Sequence, residues 1–172
     1  MQTIEKAPHE SSVSARTLSK EAFASVDTAR ARELYLFVCT GNTCRSPMAA
    51  ALFNRYFAND TRSATSAGLA ADGSPLSENA RLALMGEGIT PPPHISTPLT
   101  EELIDAATYV IGLTARHADS ITWAYPAYAS KITALPADIP DPYGGDLAAY
   151  EECLSKIKQA LTDMFGPPDN AV

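Results

Sequence analysis

Leu34-Tyr35-Leu36-Phe37-Val38-Cys39-Thr40-Gly41-Asn42-Thr43-Cys44-Arg45-Ser46-Pro47 decides the architecture of this chain. Its first five residues are an unbroken apolar run, which is what a strand covered on both faces requires. From Ser46-Pro47 the pattern changes: Met48, Leu52, Phe53, Tyr56 and Phe57 recur at helical spacing, with Pro near the first turn. Cys39 therefore closes a strand and Arg45 opens a helix. In such a turn successive N–H groups point inward, and the helix N-terminus adds partial positive charge, so a tetrahedral oxyanion is held without a metal. Thr40, Gly41, Asn42, Thr43, Cys44 and Arg45 are the candidate phosphate-binding residues. The planar guanidinium of Arg45 can grip two oxygens at once, which an ammonium cannot do.

The same field favours the thiolate form of Cys39. A thiolate beneath a bound phosphoryl group is placed for in-line attack on phosphorus, and a cysteinyl-phosphate intermediate splits one difficult hydrolysis into two easier steps. A Cys and an Arg six positions apart carry little information by themselves. The Gly-Asn turn, the Ser-Pro that follows and the strand-then-helix context give the spacing its weight.

Working outward, strands are expected at 34–39, 61–66, 108–113 and 131–135. They alternate with helical patterns at 46–58, 76–86, 100–106, 115–123 and 146–165. Such alternation predicts an α/β fold: a single open four-stranded parallel sheet with helices on both faces, and a phosphate loop between first strand and first helix. The last helix is the clearest, with Leu147, Tyr150, Leu154, Ile157, Leu161 and Met164 on one stripe and Gly166-Pro167-Pro168 ending it. Pro91-Pro92-Pro93 marks a stiff connector. Residues 1–32 read as an N-terminal extension, disordered or loosely helical, with Leu18, Ala22, Val26 and Ala29 on one side; residues 33–172 read as the folded domain. In open parallel sheets a ligand sits beyond the carboxyl ends of the strands. That rule brings the loop after the fourth strand, with Asp138, Asp141 and three prolines, to the same end as Cys39, and leaves both acids as candidates.

Bulk properties fit this reading. At 172 residues and 45% hydrophobic composition, the chain suits one domain with a proper core. No apolar run approaches membrane-spanning length and the N-terminus lacks a secretory apolar segment, so a soluble cytoplasmic protein is expected. A formal charge of −7 disfavours nucleic acid as a partner. Three cysteines, an odd number, argue against a disulfide framework. Cys39 and Cys44 have no second Cys or His pair at zinc-ligand spacing, and neither a metal nor another cofactor is expected.

The stretch from Val38 to Pro47 resembles the phosphate loop of the low-molecular-weight protein phosphatases. Ser66-Ala67-Gly68, His94 within Pro93-His94-Ile95, and Asp141-Pro142-Tyr143-Gly144-Gly145 extend the resemblance over residues 33–165. It implies Asp141 rather than Asp138 as the general acid, protonating the leaving atom first and then deprotonating the attacking water. A neighbouring phosphate dianion would favour the acid form. It also implies a supporting network of Asn42, Ser46, Ser66 and His94, in which Asn42 holds a left-handed backbone position and the Ser46 hydroxyl donates toward sulfur.

Arsenate reduction on the same scaffold needs a further redox pair of cysteines, and only Cys153 lies downstream, bordering an apolar stripe like a small buried hydrophobe. Cys44 is a candidate redox partner able to trap oxidised Cys39. His117, with no motif beyond a helix start, and His9, in the extension, read as solvated. Tyrosine-directed members carry an apolar residue at the place of Thr43 and two aromatics after the Asp-Pro. Here Thr43 and Gly144 depart from that pattern and, with Pro98-Leu99-Thr100-Glu101-Glu102-Leu103, resemble the bacterial protein-arginine phosphatases. A hydroxyl at position 43 offers a guanidinium a polar contact, whereas Tyr143 can stack on guanidinium or phenol alike. The expected activity is hydrolysis of phosphorylated protein side chains, phosphoarginine ahead of phosphotyrosine, with inorganic phosphate as product. A catalytically idle phosphate-binding module is the non-enzymatic alternative.

Overall fold

The strands and α-helices of the described residues run β1 (Glu33–Cys39), α1 (Arg45–Tyr56), β2 (Arg62–Gly68), α2 (Glu78–Gly86), α3 (Glu101–Ala106), β3 (Tyr109–Gly112), α4 (Ala115–Ala124), β4 (Ile132–Ala134) and α5 (Leu147–Phe165). They come from a computed structural model that describes residues 32–168; the expectations for the N-terminal extension and for His9 concern residues outside that range. All three strand pairings are parallel and the order is β2-β1-β3-β4. The strand that ends in Cys39 is thus an inner one. It pairs with β2 along its full length, from Glu33↔Arg62 to Cys39↔Gly68, and with β3 from Tyr35↔Tyr109 to Val38↔Gly112.

Alternation along β1 explains the unbroken apolar run. Tyr35 and Phe37 belong to a core with Phe53 of α1, Leu84 of α2 and Ile157 and Leu161 of α5. Leu36 and Val38 belong to a second core with Ile104 of α3 and Ile121 of α4. Successive strand residues point to opposite faces, so helices must cover both. Burying each such side chain contributes about 1.5–3 kcal/mol, which ties both helix layers to the strand that carries Cys39. Tyr35, Phe53 and Phe165 meet with ring centroids 4.7–5.3 Å apart, locking the start of β1 to α1 and the end of α5.

Some boundaries differ from the sequence reading. β2 continues two residues beyond 66, because its pairing with β1 persists through Val38↔Ala67 and Cys39↔Gly68; Ser66 therefore lies inside the strand. β3 and β4 are shorter than expected. A 3₁₀ helix over Pro126–Lys131, which the sequence reading lacks, joins α4 to β4. No helix among the described residues is long and apolar enough to cross a membrane.

Candidate active site

Beyond Cys39 the backbone must reverse within a few residues to enter α1, and it does so through Asn42, whose φ is +56°. Asn is among the few side chains that tolerate this left-handed conformation. Asn42 is fully buried, and its polar groups are engaged. Its backbone N–H donates to Cys39 Sγ at 3.3 Å, and its Nδ2 donates to Ser46 Oγ and Ser66 Oγ, each at 2.9 Å. Its Oδ1 accepts from Thr97 N–H at 2.8 Å, and His94 Nε2 donates to its carbonyl at 2.7 Å. Ser46 Oγ lies 3.0 Å from Cys39 Sγ and 3.2 Å from the Ala67 carbonyl. A hydroxyl with one proton and two acceptors can turn toward sulfur as sulfur gains charge.

Gly68 is required beside this loop. A Cβ there would stand 2.7 Å from the Thr40 carbonyl oxygen and 2.9 Å from Asn42 Cβ. The close approach lets Leu69 N–H and Ala70 N–H bond the carbonyls of Cys39 and Thr40 at 2.9 and 2.8 Å.

At the helix end the termini differ. Thr100, Thr114 and Asp146 cap α3, α4 and α5 with side-chain oxygens, but no side chain caps α1 or α2, and of these two it is α1 that opens from the loop after Cys39. Its first-turn N–H groups are left for a ligand. Arg45 is 6% exposed. Its Nη2 donates to Asp141 Oδ2 at 2.7 Å and its Nη1 to the Ile139 carbonyl at 3.2 Å, while Nε is buried without a protein partner. An unsatisfied buried donor costs roughly 1–3 kcal/mol, and an oxyanion in the loop is the group suited to accept from it. A cleft of about 870 Å³ is lined by residues 39–45 together with Asp72, Ser77, Glu78, Arg81, Asp141 and Tyr143. A smaller cleft of about 480 Å³ runs along α1 past Ser66, Ile89, Pro91 and His94, and none of residues 39–45 lines it. Cys39, Arg45 and Asp141 therefore converge on the larger one.

The two competing acids separate clearly. Asp141 reaches Arg45, accepts a second bond from Tyr143 N–H at 3.2 Å, and keeps its side chain 49% exposed. Asp138 instead accepts from Ala115 N–H at 2.8 Å, at the start of α4. Tyr143 stands 77% exposed at the cleft. Thr43 lines the cleft, and its carbonyl is held by Ser77 N–H at 2.9 Å. Cys44 Sγ lies 3.4 Å from both Ser77 Oγ and Tyr150 Oη. Burial first, and the contact with Cys44 second, push the Tyr150 hydroxyl up to about 12. Cys153 is buried in the α5 core, and burial pushes its thiol up to about 12, so it stays an inert hydrophobe. All three cysteines are free thiols.

His117 corrects the sequence reading. It is 6% exposed rather than solvated, with Nδ1 at 2.8 Å from Thr114 Oγ1 and Nε2 at 3.1 Å from Thr40 Oγ1 of the phosphate loop. Burial, and then the nearby Arg45 charge, pull its pKa below the ordinary imidazole range; Asp141 and Asp138 act in the opposite sense and Arg116 adds to the lowering. Packing explains the position: Gly112 ends β3 where a Cβ would lie 2.6 Å from Ala118 N and 3.1 Å from His117 Cβ, so α4 starts directly against the sheet. Thr114-x-x-His117 begins a helix at the carboxyl end of a strand, and that placement was the available signal.

Comparison with known proteins gives the family of the chain. Residues 35–170 match the family model described as low molecular weight phosphotyrosine protein phosphatase. A protein-arginine-phosphatase of Geobacillus stearothermophilus is 37% identical over 133 residues, covering 73% of this chain and 89% of the relative. A low molecular weight protein-tyrosine-phosphatase, Ptp of Acinetobacter johnsonii, is 32% identical over 133 residues, covering 74% and 92%. The solved structure of a YwlE arginine phosphatase mutant with a phosphorylated active-site serine superposes with a TM-score of 0.68 at 33% identity, covering 76% of this chain and 93% of that one. With the family model spanning most of the chain and relatives above 30% identity covered to most of their length, the chain belongs to the low molecular weight phosphotyrosine protein phosphatase family.

Proposed function

We propose that this phosphatase hydrolyses phosphorylated protein side chains through a cysteinyl-phosphate at Cys39, with phosphoarginine as the preferred substrate. One observation carries the catalytic part: Cys39, Arg45 and the Asp141 bonded to it at 2.7 Å line one cleft, with the buried Ser46 hydroxyl 3.0 Å from Cys39 Sγ. In the first step the Cys39 thiolate attacks phosphorus and the bond from phosphorus to the leaving atom breaks. Asp141 donates its proton to that leaving atom, while the loop N–H groups and Arg45 balance the charge on the phosphoryl oxygens. In the second step Asp141, now a carboxylate, takes a proton from water. The water oxygen bonds phosphorus, the sulfur–phosphorus bond breaks, and inorganic phosphate and the thiolate are released. Ser46 turns its hydroxyl to the departing sulfur, and Asn42, Ser66 and His94 hold the loop.

Thr43 on the cleft wall, its Oγ1 3.6 Å from Cys44 Sγ, supports the arginine preference, because a hydroxyl there offers a guanidinium a polar contact that a phenyl ring cannot use. Asp141 can pair with the same guanidinium. The arginine-phosphatase name of the Geobacillus relative agrees. Exposed Tyr143 favours the second reading, phosphotyrosine, as much as the first. Three free thiols suit the reducing cytoplasm as the place of action. Cys44 is then the resolving thiol for an oxidised Cys39, and mild peroxide should yield a reducible Cys39–Cys44 disulfide in mass mapping. A stable sulfinic acid at Cys39 with Cys44 free would exclude that role. Side-by-side kcat/KM values on phosphoarginine and phosphotyrosine peptides test the substrate. A wild-type preference for phosphotyrosine transfers the assignment to the second reading.

A further inference from the structure

We infer that His117 is a positioning residue which aims the Thr40 hydroxyl into the cleft as a side-chain donor to the bound phosphoryl group. Thr114 Oγ1 accepts from the backbone N–H of His117 at 3.2 Å, and its own proton is then available for Nδ1, 2.8 Å away. With Nδ1 accepting, the proton of the neutral ring sits on Nε2, which donates to Thr40 Oγ1 at 3.1 Å. The Thr40 hydroxyl has no other bond among the described residues. Its lone pair is occupied from behind by the ring, so its proton is directed away from the ring. Thr40 lines the cleft with Cys39 and Arg45, and a phosphoryl oxygen is the acceptor that the cleft brings to it. Thr40 is one of the candidate phosphate-binding residues of the loop, and its side chain adds a steered donor to the loop N–H groups. Burial of His117 and the neighbouring Arg45 keep the ring neutral, in keeping with this chain of donors.

The inference rests on the phosphatase reading above, and the test keeps the two apart. Wild type, Thr40→Val, His117→Ala, the double variant and His117→Gln are assayed for kcat/KM on an aryl phosphate and for competitive inhibition by inorganic phosphate. Folding of each is checked by thermal melting. Loss of one hydrogen bond to a charged ligand predicts that Thr40→Val weakens phosphate inhibition and lowers kcat/KM roughly tenfold each. His117→Ala gives a loss of similar size, and the double variant is no worse than Thr40→Val, because both changes remove one donor. His117→Gln, which keeps an N–H near the position of Nε2, recovers most of the loss. The ¹⁵N shifts of the His117 ring report the Nε2–H tautomer.

Unchanged phosphate inhibition and kcat/KM in Thr40→Val overturn the inference. So do losses that multiply in the double variant, or a ring protonated on Nδ1 alone. Should His117→Ala fail to fold, Thr40→Val and the ring shifts decide. A wild type that binds phosphate without turnover defeats the phosphatase reading instead, and phosphate affinity alone then judges Thr40.

Discussion

Asp141 and Asp138 lie three positions apart in one proline-rich loop, yet one bonds the buried Arg45 guanidinium and the other a helix start. Asp141→Ala should therefore slow substrates with poor leaving groups far more than activated aryl phosphates, by the order of 10² to 10⁴ expected of a lost general acid. Asp138→Ala should instead lower the melting temperature and leave the leaving-group dependence alone. Rates across a series of phosphate esters separate the two, and a selective loss in the Asp138 variant would reverse the assignment.

Thr43→Ile replaces a hydroxyl on the cleft wall by a larger apolar group. Relative kcat/KM should move toward phosphotyrosine by roughly ten- to a hundredfold, the worth of one well-placed polar contact; an unmoved ratio would make Thr43 a bystander. At this scale the sequence was informative where a motif placed the residue. Cys39, Asn42, Arg45 and Ser46 sit within one short turn, so local order defines their placement relative to one another. His117 was misjudged because its value comes from Gly112 and Thr114, which bring it under a loop 77 positions away, and nothing in its own flanks records that contact.

Among the elements, β1, α1 and α5 were the most legible, since their apolar residues repeat over a full strand or several helical turns. β2 and β4 are edge strands with mixed burial, so composition leaves their ends open; β2 in particular reads Arg62-Ser63-Ala64-Thr65-Ser66-Ala67-Gly68, with few strand-favouring residues. What extends β2 to Gly68 is its pairing with β1, a long-range fact. That extension predicts a sharp cost for Gly68→Ala. The added methyl must displace backbone of the phosphate loop and not a flexible side-chain tip, and such overpacking costs about 1–3 kcal/mol. Because the displaced atoms belong to Thr40 and Asn42, activity should fall by a larger factor than stability accounts for. Comparing kcat/KM with the urea midpoint of the same variant checks this, and proportionate small losses would show that the loop tolerates the shift.

For the whole molecule, burial of neutral His117 couples folding to acidity. Its folded pKa is depressed, so the unfolded chain binds a proton near its ordinary value of about 6.5 while the folded chain still resists it. The stability contributed by this group is complete above that value and is lost as pH falls toward the depressed folded one. Urea unfolding at stepped pH should show wild type losing more stability on acidification than His117→Gln, and parallel curves would refute the linkage. The sheet order has a further consequence. Cys39 ends a strand held on both sides, whereas Asp141 follows a three-residue edge strand. Opening free energies differ across a fold, and edges open first. On gentle warming, amides leading to Asp141 should exchange before those of β1, and the enzyme should pass through a stage that still captures a labile aryl phosphate but no longer cleaves a refractory one. Thermal failure would thus narrow the range of accepted substrates before it extinguishes chemistry.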